Sequence, residues 1–473
     1  MDRRMPIGIQ SFEKFHLDGF VYVDKTAYVH RLAQEGVPVF LSRPRRFGKS
    51  LLVSTLRAYF EGRRELFAGL EIEQLEAEAA EVEDRVSWVT RPVFHLDFNG
   101  ADYTREGGLE AKLDELLADF EESWSVKRRS DAPGPRFQRL LAVAHRESGH
   151  RAAVLVDEYD KPLLDSMEDP VLEERNRATL KGFFSVLKGA DDHLRFALLT
   201  GVTKFSKVSI FSDLNQLRDV SLERDYAAVC GITEPELLVA FGPELNALAA
   251  QLGVDADGCL GALRERYDGY CFHPDGPGSD IERHGRCVYN PFSLVSALQS
   301  RRLGSYWFES GTLTFLVRRM RETGLDPKRL TDGSIYADEE RLSDYRADDP
   351  DSVPLMYQAG YLTIRDANPR TGRYVLAVPT ARCATDWRRA CCPHGRPATP
   401  SCAAPTCSAC STTWRPATAR ACATCWRRCS PAFPTLAPTT PSRTTSRPSY
   451  GWSSRYSGAT SPARCARLEG GPT

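Results

Sequence analysis

The chain has 473 residues, and its 62 basic and 63 acidic side chains give a formal net charge of −1. This balance conceals two parts, because residues 381–473 contain thirteen Arg, no Lys, one Asp and one Glu, whereas residues 1–380 carry a net charge of −12. An acidic main body argues against a protein that coats nucleic acid, whose binding surface would be basic.

The first half of the chain alternates strand and helix patterns. Strands are predicted at 37–42, 92–98, 152–158 and 195–201, and helices at 49–61, 71–87, 107–124, 136–148 and 170–190. The runs at 152–158 and 195–201 are continuously apolar, which indicates strands buried on both faces of a parallel sheet. The alternation predicts an α/β fold with a doubly wound parallel sheet, in which ligands bind at the carboxyl edge of the strands.

From about residue 234 the pattern becomes mostly helical. The predicted helices are 234–252, 257–267, 290–302 and 311–323. Residues 361–379 form two alternating runs around a polar turn that contains Gly, which predicts a β-hairpin. A helix near 352–360 followed by this hairpin would form a small winged-helix-like unit.

Residues 43–50, with the sequence RPRRFGKS, follow the first predicted strand and open a helix. In a phosphate-binding loop the backbone N–H groups face the anion, a Lys reaches the β- and γ-phosphates, and a Ser hydroxyl holds Mg²⁺. Gly48, Lys49 and Ser50 supply these last positions, but Arg43 stands where a first Gly is usual. An ordinary helix start with a basic first turn is the alternative. Because such a turn opposes the helix dipole, a bound phosphate accounts better for the cations.

Two carboxylates stand at the end of the buried run 152–158. Asp157 is placed to bind Mg²⁺ through water, and Glu158 to orient or activate the attacking water. Solvated acids are common at strand ends, but their combination with an upstream GKS is not. Thr200 ends the next buried run, where it would face the γ-phosphate as a sensor or simply form a turn with Gly201. The combined pattern predicts an ATPase.

Long stretches of the chain resemble the prokaryotic AAA-ATPase-like family. They include MPIGIQSFEKF, FLSRPRRFGKSLL, VLVDEYDKPLLD, LLTGVTKFSKVSIFSDLNQL and VYNPFSLVSAL, in order from about residue 5 to 379. In that family the first Gly of the loop is typically replaced in the same way. The resemblance implies a P-loop core that binds ATP and Mg²⁺, with Lys49 and Glu158 as catalytic residues and Ser50 and Asp157 at the metal. The expected nucleotide contacts are Arg46, Phe47, Gly48, Lys49, Ser50, Leu51 and Thr200.

Other parts of an ATPase site are left open by the sequence. Arg218 and Arg224 are candidates for an arginine finger by position alone, and an adenine-side role for residues 22–26 is unassigned. ATP is the expected partner, a homo-oligomer is an open option, and nucleic acid enters only by analogy with the family. The alternative from another class is a nucleotide-switched binding or scaffolding protein without significant turnover.

Cysteine usage and the N-terminus bear on location. Cys230, Cys259, Cys271 and Cys287 lie in the main body, and ten further cysteines follow residue 380. The N-terminus has no apolar segment typical of a signal peptide, and no stretch reaches the roughly 18 apolar residues of a membrane span. We therefore expect a cytoplasmic protein with reduced thiols in its body and no membrane segment.

The last 93 residues differ from the body in amino-acid composition and net charge. Intact relatives in the family continue into a PD-(D/E)XK-type nuclease domain, which needs a Glu-x-Lys to position water at Mg²⁺. Residues 381–473 contain no Lys, no Val or Ile and twelve Pro, so we expect disorder and no nuclease. Cys407-x₂-Cys410 and Cys422-x₂-Cys425 have zinc-ribbon spacing, but ten Cys in so short a segment produce such pairs by chance.

The composition of this tail favours an origin outside the normal reading frame. Arg without Lys, together with Ala, Pro, Thr, Ser and Cys, is typical of GC-rich DNA translated out of frame. We therefore expect a P-loop nucleotide-binding domain at 1–230, a helical and winged-helix-like domain at 231–380 and a frameshifted tail at 381–473. A nonfunctional pseudogene product is the third alternative.

Overall fold

The computed structural model of the chain describes residues 3–204, 210–211, 216–273, 287–306, 335–343, 351–368 and 370–380. The predicted helix at 311–323 lies outside these residues. So does the tail at 381–473, with its predicted disorder, its paired cysteines and its proposed frameshift.

A five-stranded parallel sheet forms the centre of the nucleotide-binding half. Its strands are β1 Val39–Ser42, β2 Val93–Asp97, β3 Ala152–Asp157, β4 Leu194–Gly201 and β5 Arg218–Asp219. The spatial order is β2-β3-β4-β1-β5, and all four neighbouring pairs are parallel. β1 and β3 are buried along their whole length, as expected for strands covered on both faces. The predicted α/β parallel sheet is confirmed.

Eight of the α-helices that the structure describes lie in the same part of the chain as this sheet. They are α1 Phe12–Asp18, α2 Thr26–Ala33, α3 Lys49–Phe60, α4 Glu71–Val82, α5 Gly108–Ser123, α6 Pro133–Ser148, α7 Lys161–Ser166 and α8 Pro170–Phe184. α3 buries Leu52, Leu56 and Phe60, which recur at helical spacing. α8 begins where the Asp169 carboxylate accepts hydrogen bonds from two first-turn N–H groups. The sequence pattern did not predict α1, α2 or α7.

A second cluster of helices follows the sheet. α9 Glu234–Leu252, α10 Ala256–Tyr267 and α11 Pro291–Ser300 share an apolar core that also contains Val21. Thr233 and Glu236 form a capping box that starts α9. Among the described residues no single helix is long and apolar enough to cross a membrane, and only α9 and α10 together, bent by 94°, reach that length and composition.

A small antiparallel sheet completes the described chain. Its elements are β6 Ile335–Ala337, α12 Glu339–Ser343, α13 Val353–Gln358, β7 Thr363–Asn368 and β8 Arg373–Ala377, with strand order β6-β8-β7. β7 and β8 pair as the predicted hairpin, and α13 precedes them. Ile364 and Leu376 of this sheet belong to the same apolar core as β1, so the hairpin packs into the nucleotide-binding half.

The expectation that the cysteines of the body are all reduced thiols is wrong for two of the four. Cys271 and Cys287 form a disulfide, whereas Cys230 and Cys259 are free and buried. The backbones around the paired cysteines are brought together by a bridge between Tyr270 and Val288. The sequence did not reveal this proximity, because it depends on two segments separated by 16 positions.

Candidate functional site

The loop between β1 and α3 contains two residues in the left-handed region. Arg46 has φ 71° and Gly48 has φ 97°. Gly48 adopts this conformation freely, whereas Arg46 does so at a cost. Gly48 is also the N-cap of α3, and no side chain caps the helix there. The first N–H groups of α3 are therefore oriented as in an anion-binding helix terminus.

Lys49 lies inside this loop. Its Nζ donates to the carbonyl oxygens of Arg43 at 2.9 Å and Pro44 at 3.2 Å. The residue is buried, with 5% of its surface exposed. A phosphate group bound in the loop would compete with these carbonyls for the ammonium, as a phosphate-loop lysine requires. Ser50, half-buried in the first helical turn, follows it directly.

Arg43 occupies the usual position of the first Gly but directs its guanidinium into the protein. Nη1 donates to the carbonyls of Ser42 and Ser221, and Nη2 donates to that of Tyr226 at 2.8 Å. The guanidinium also lies 4.2 Å from the ring centre of Phe272. Arg43 is 1% exposed. Its side chain therefore fixes the loop to the segment that follows β5.

The side chains of the predicted nucleotide contacts Phe47, Arg46 and Leu51 differ in their exposure to solvent. Phe47 is buried, with its ring 4.9 Å from Tyr270, and its carbonyl accepts from Gly231 N. Only its main chain could contact a nucleotide. Arg46 is exposed and lies over the Phe292 ring at 4.8 Å. Leu51 is half-buried against the core.

Asp157 and Thr200 are in direct contact. Thr200 Oγ1 donates to Asp157 Oδ1 at 2.7 Å. Asp157 ends β3 and Thr200 lies near the end of β4, and the register places Leu41 of β1 beside Thr200. Because β4 stands between β1 and β3, the predicted sensor residue lies between the loop and the acidic pair. Both residues are buried.

Glu158 has an uncommon backbone conformation. Its φ is 54°, in a region that non-Gly residues rarely adopt and that recurs at functional sites. Burial raises the pKa of the Glu158 carboxyl, while the nearby Lys49 ammonium opposes this shift. The structure therefore brings the two predicted catalytic side chains into one electrostatic environment.

Two acids that the sequence did not assign to the site also lie at this edge. Asp97 is half-buried and stands opposite Asp157 in the β2–β3 register. Asp160 is almost completely buried and accepts hydrogen bonds from the chain after β4. Their positions in the sequence could have indicated them as site residues, because both acids end or follow strands of the same parallel sheet.

The proposed arginine fingers differ in their surroundings. Arg218 pairs with Glu35 and Glu223, so its charge is already engaged. Arg224 is exposed, in a short 3₁₀ helix at Arg224–Tyr226. The candidate adenine-side segment is also engaged, because Lys25 Nζ contacts Glu236 and the carbonyl of Ala228.

The side chains at the site fit a metal ion that is held jointly by the protein and the phosphates of a nucleotide, and not by protein ligands alone. No group of three or more His, Cys, Asp or Glu is arranged to hold a metal within the described part of the chain. Ser50, in the first turn of α3, and Asp157, at the end of β3, are the hydroxyl and the carboxylate that the sequence predicts at the metal. Mg²⁺ commonly binds through one or two carboxylates together with substrate phosphates. The residues therefore fit Mg²⁺ that arrives with a nucleotide.

Comparisons with known proteins show what the chain is similar to. A family profile described as "Predicted AAA-ATPase" matches residues 6–211, which span β1 to β4 and the loop before α3. The chain is also 40% identical over 382 residues to a protein of Azotobacter chroococcum mcd 1 described as "Uncharacterized protein in vnfD 5'region". That similarity covers 80% of this chain and 67% of the relative.

Proposed function

The chain belongs to the predicted AAA-ATPase family, and from this premise we propose that it binds Mg-ATP at the loop before α3 and hydrolyses it. The observation that carries the proposal is the placement of Lys49, Asp157 and Thr200 on three adjacent strands or their loops. Family membership supports nucleotide binding. Hydrolysis is the finer proposal, and it depends on Glu158.

Each residue has a distinct role in this proposal. The N–H groups of the loop and Lys49 bind the β- and γ-phosphates, while Ser50 and Asp157 hold the metal. When bound, Mg²⁺ would neutralise the negative charge that develops on the phosphate oxygens. Glu158 orients the attacking water, and Thr200 positions Asp157 through their hydrogen bond.

Two substitutions separate binding from chemistry. Lys49→Ala removes the ammonium from the loop, so we expect calorimetry to show Mg-ATP affinity lower by about 100-fold or more. Glu158→Gln keeps the size of the side chain and removes its charge, so binding should persist while steady-state turnover falls by about 100-fold or more. Glu174→Gln, an exposed Glu paired with Arg177, is the control and should behave as wild type.

The results discriminate between the two classes of function. Equal Mg-ATP affinity in wild type and Lys49→Ala would contradict the loop assignment. Tight binding with negligible wild-type turnover would contradict hydrolysis and support a nucleotide-switched binding protein. Unchanged turnover in Glu158→Gln would remove Glu158 from the mechanism.

We also propose that residues 381–473 contain no nuclease and are out of frame. The absence of Lys in this segment supports the proposal, because a Glu-x-Lys cannot occur there. Sequencing the gene across codon 380 tests the frame. An uninterrupted frame shared by close relatives with the same tail would overturn it.

A further inference from the structure

The chain segments after β3 and β4 are fastened together by a buried carboxylate. Asp160 is 1% exposed. Its Oδ2 accepts from Thr203 N at 2.6 Å, Thr203 Oγ1 at 2.7 Å and Val202 N at 3.1 Å. Among the described residues it forms no ion pair, so hydrogen bonds from the other segment are its main direct stabilisation.

The neighbouring residue reinforces this connection. Tyr159 N donates to the carbonyl of Thr200 at 3.1 Å, and its hydroxyl donates to that of Thr203 at 3.0 Å. The segments approach so closely that a Cβ on Gly201 would lie 2.7 Å from Asp160 Oδ1. Both residues that follow Glu158 are therefore anchored to the end of β4.

Glu158 lies between two anchored positions. Before it, Asp157 accepts from Thr200 Oγ1, and after it, Tyr159 and Asp160 bind the chain that follows Thr200. Its left-handed backbone, at φ 54°, is a strained conformation that persists only when the surroundings determine it. The contacts of Asp160 lie on the same turn of chain and oppose relaxation of that strain.

We propose that Asp160 is a positioning residue that holds Glu158 in its productive conformation and couples it to the Thr200 strand. This inference rests on the proposed ATPase function. Asp160 acts through the backbone and does not touch the substrate. Any displacement of Thr200 by the γ-phosphate is transmitted through Val202 and Thr203 to the turn that carries Glu158.

The chemistry of the site favours a carboxylate over a neutral side chain. Burying a carboxylate is costly and raises the pKa of Asp160, whereas the hydrogen bonds from Thr203 and Val202 and the charge of Lys49 oppose that rise. An ionised Asp is acceptor-only, which suits three converging donors. An Asn that places its carbonyl oxygen at the Oδ2 position turns its N–H₂ group toward Val202 N, which lies 3.3 Å from Oδ1. Its neutral oxygen also accepts more weakly than a carboxylate, so the connection is weakened.

The test compares Asp160→Asn with variants of its partner. We expect kcat of Asp160→Asn to fall by about 100-fold, while KM and the calorimetric Kd for Mg-ATP change by less than about threefold. Thr203→Val removes one hydrogen bond and should lower kcat by about 10-fold. Thr203→Ser keeps the hydroxyl and should restore most of the rate. Asp165→Asn, in the α7 helix that directly follows Asp160 and paired with Lys161, is the control.

A measurement on the nucleotide-free protein gives an independent readout. In Asp160→Asn the amides of Val202 and Thr203 should exchange hydrogen faster than in wild type, because both donate to this carboxylate. The same amides in Asp165→Asn should exchange at the wild-type rate. If Asp160→Asn does not fold, the comparison of Thr203→Val with Thr203→Ser decides the question.

The outcomes separate this inference from the proposed function. Absence of turnover in wild type overturns the ATPase proposal and the positioning role with it. Normal wild-type turnover with unchanged kcat in folded Asp160→Asn overturns the positioning role alone. Equal rates in Thr203→Val and Thr203→Ser overturn it as well, as does a parallel loss of Mg-ATP affinity.

Discussion

Replacing Arg43 distinguishes a phosphate-contacting loop residue from a structural anchor. Arg43 stands at the usual first Gly of the loop, so one expectation is that Arg43→Gly restores a standard loop and is tolerated. The structure predicts the opposite. The guanidinium is buried and donates to the carbonyls of Ser42, Ser221 and Tyr226, and the last of these also accepts from Val229 N.

The size of the effect follows from these contacts. A hydrogen bond to a charged group contributes about 1.5–3 kcal/mol, and a desolvated cation–π contact such as that with Phe272 contributes about 2 kcal/mol. Burying the guanidinium without a carboxylate offsets much of this gain. We therefore expect Arg43→Ala and Arg43→Gly to lower the free energy of unfolding by about 3 kcal/mol.

Urea denaturation of nucleotide-free protein measures the predicted loss. Arg43→Lys should recover only part of it, because one ammonium cannot reproduce the fixed geometry of a guanidinium. Arg46→Ala is the matched control, since Arg46 is an exposed Arg on the same loop and its loss should cost less than about 1 kcal/mol. An Arg43→Gly protein as stable as wild type, with equal or tighter Mg-ATP binding, would refute this reasoning.

Three further predictions concern other parts of the chain. Burial alone would raise the pKa of Glu76, but interactions with His30, Arg85 and Tyr59 lower it from 4.5 to about 2, which corresponds to about 3 kcal/mol. Because the folded pKa is depressed, this stabilisation is present above about pH 4.5 and lost as the pH falls toward 2. The difference in unfolding free energy between wild type and Glu76→Gln should therefore shrink below about pH 4.5, and a constant difference would contradict the assignment. Gly201→Ala should lower the free energy of unfolding, measured in urea, by about 1–3 kcal/mol, because the added Cβ would collide with the Tyr159 ring and the Asp160 carboxylate. A variant as stable as wild type would exclude this close approach. Protein purified without added metal should contain no stoichiometric zinc by elemental analysis, whereas one zinc per chain would establish the tail cysteines as a site.

The sequence predicted many of the local elements and the residues of the candidate site. The apolar runs predicted β1 to β4, and the GKS sequence after β1 and the Asp-Glu pair at the end of β3 led to the prediction of a phosphate and metal site. These features are readable because each depends on neighbours within a few positions. A buried strand needs a continuous apolar run, and a phosphate loop needs Gly, Lys and Ser in succession at the start of a helix.

The tertiary structure decided how these pieces face one another. Strand order cannot be read from local pattern, and it is the position of β4 between β1 and β3 that brings Thr200 to Asp157. The burial of Arg43, the disulfide at Cys271 and the contacts of Asp160 likewise depend on segments far apart in the chain. The residue types at these positions were visible in the sequence. Their partners were not, because a buried guanidinium or carboxylate is defined by the distant groups that satisfy it.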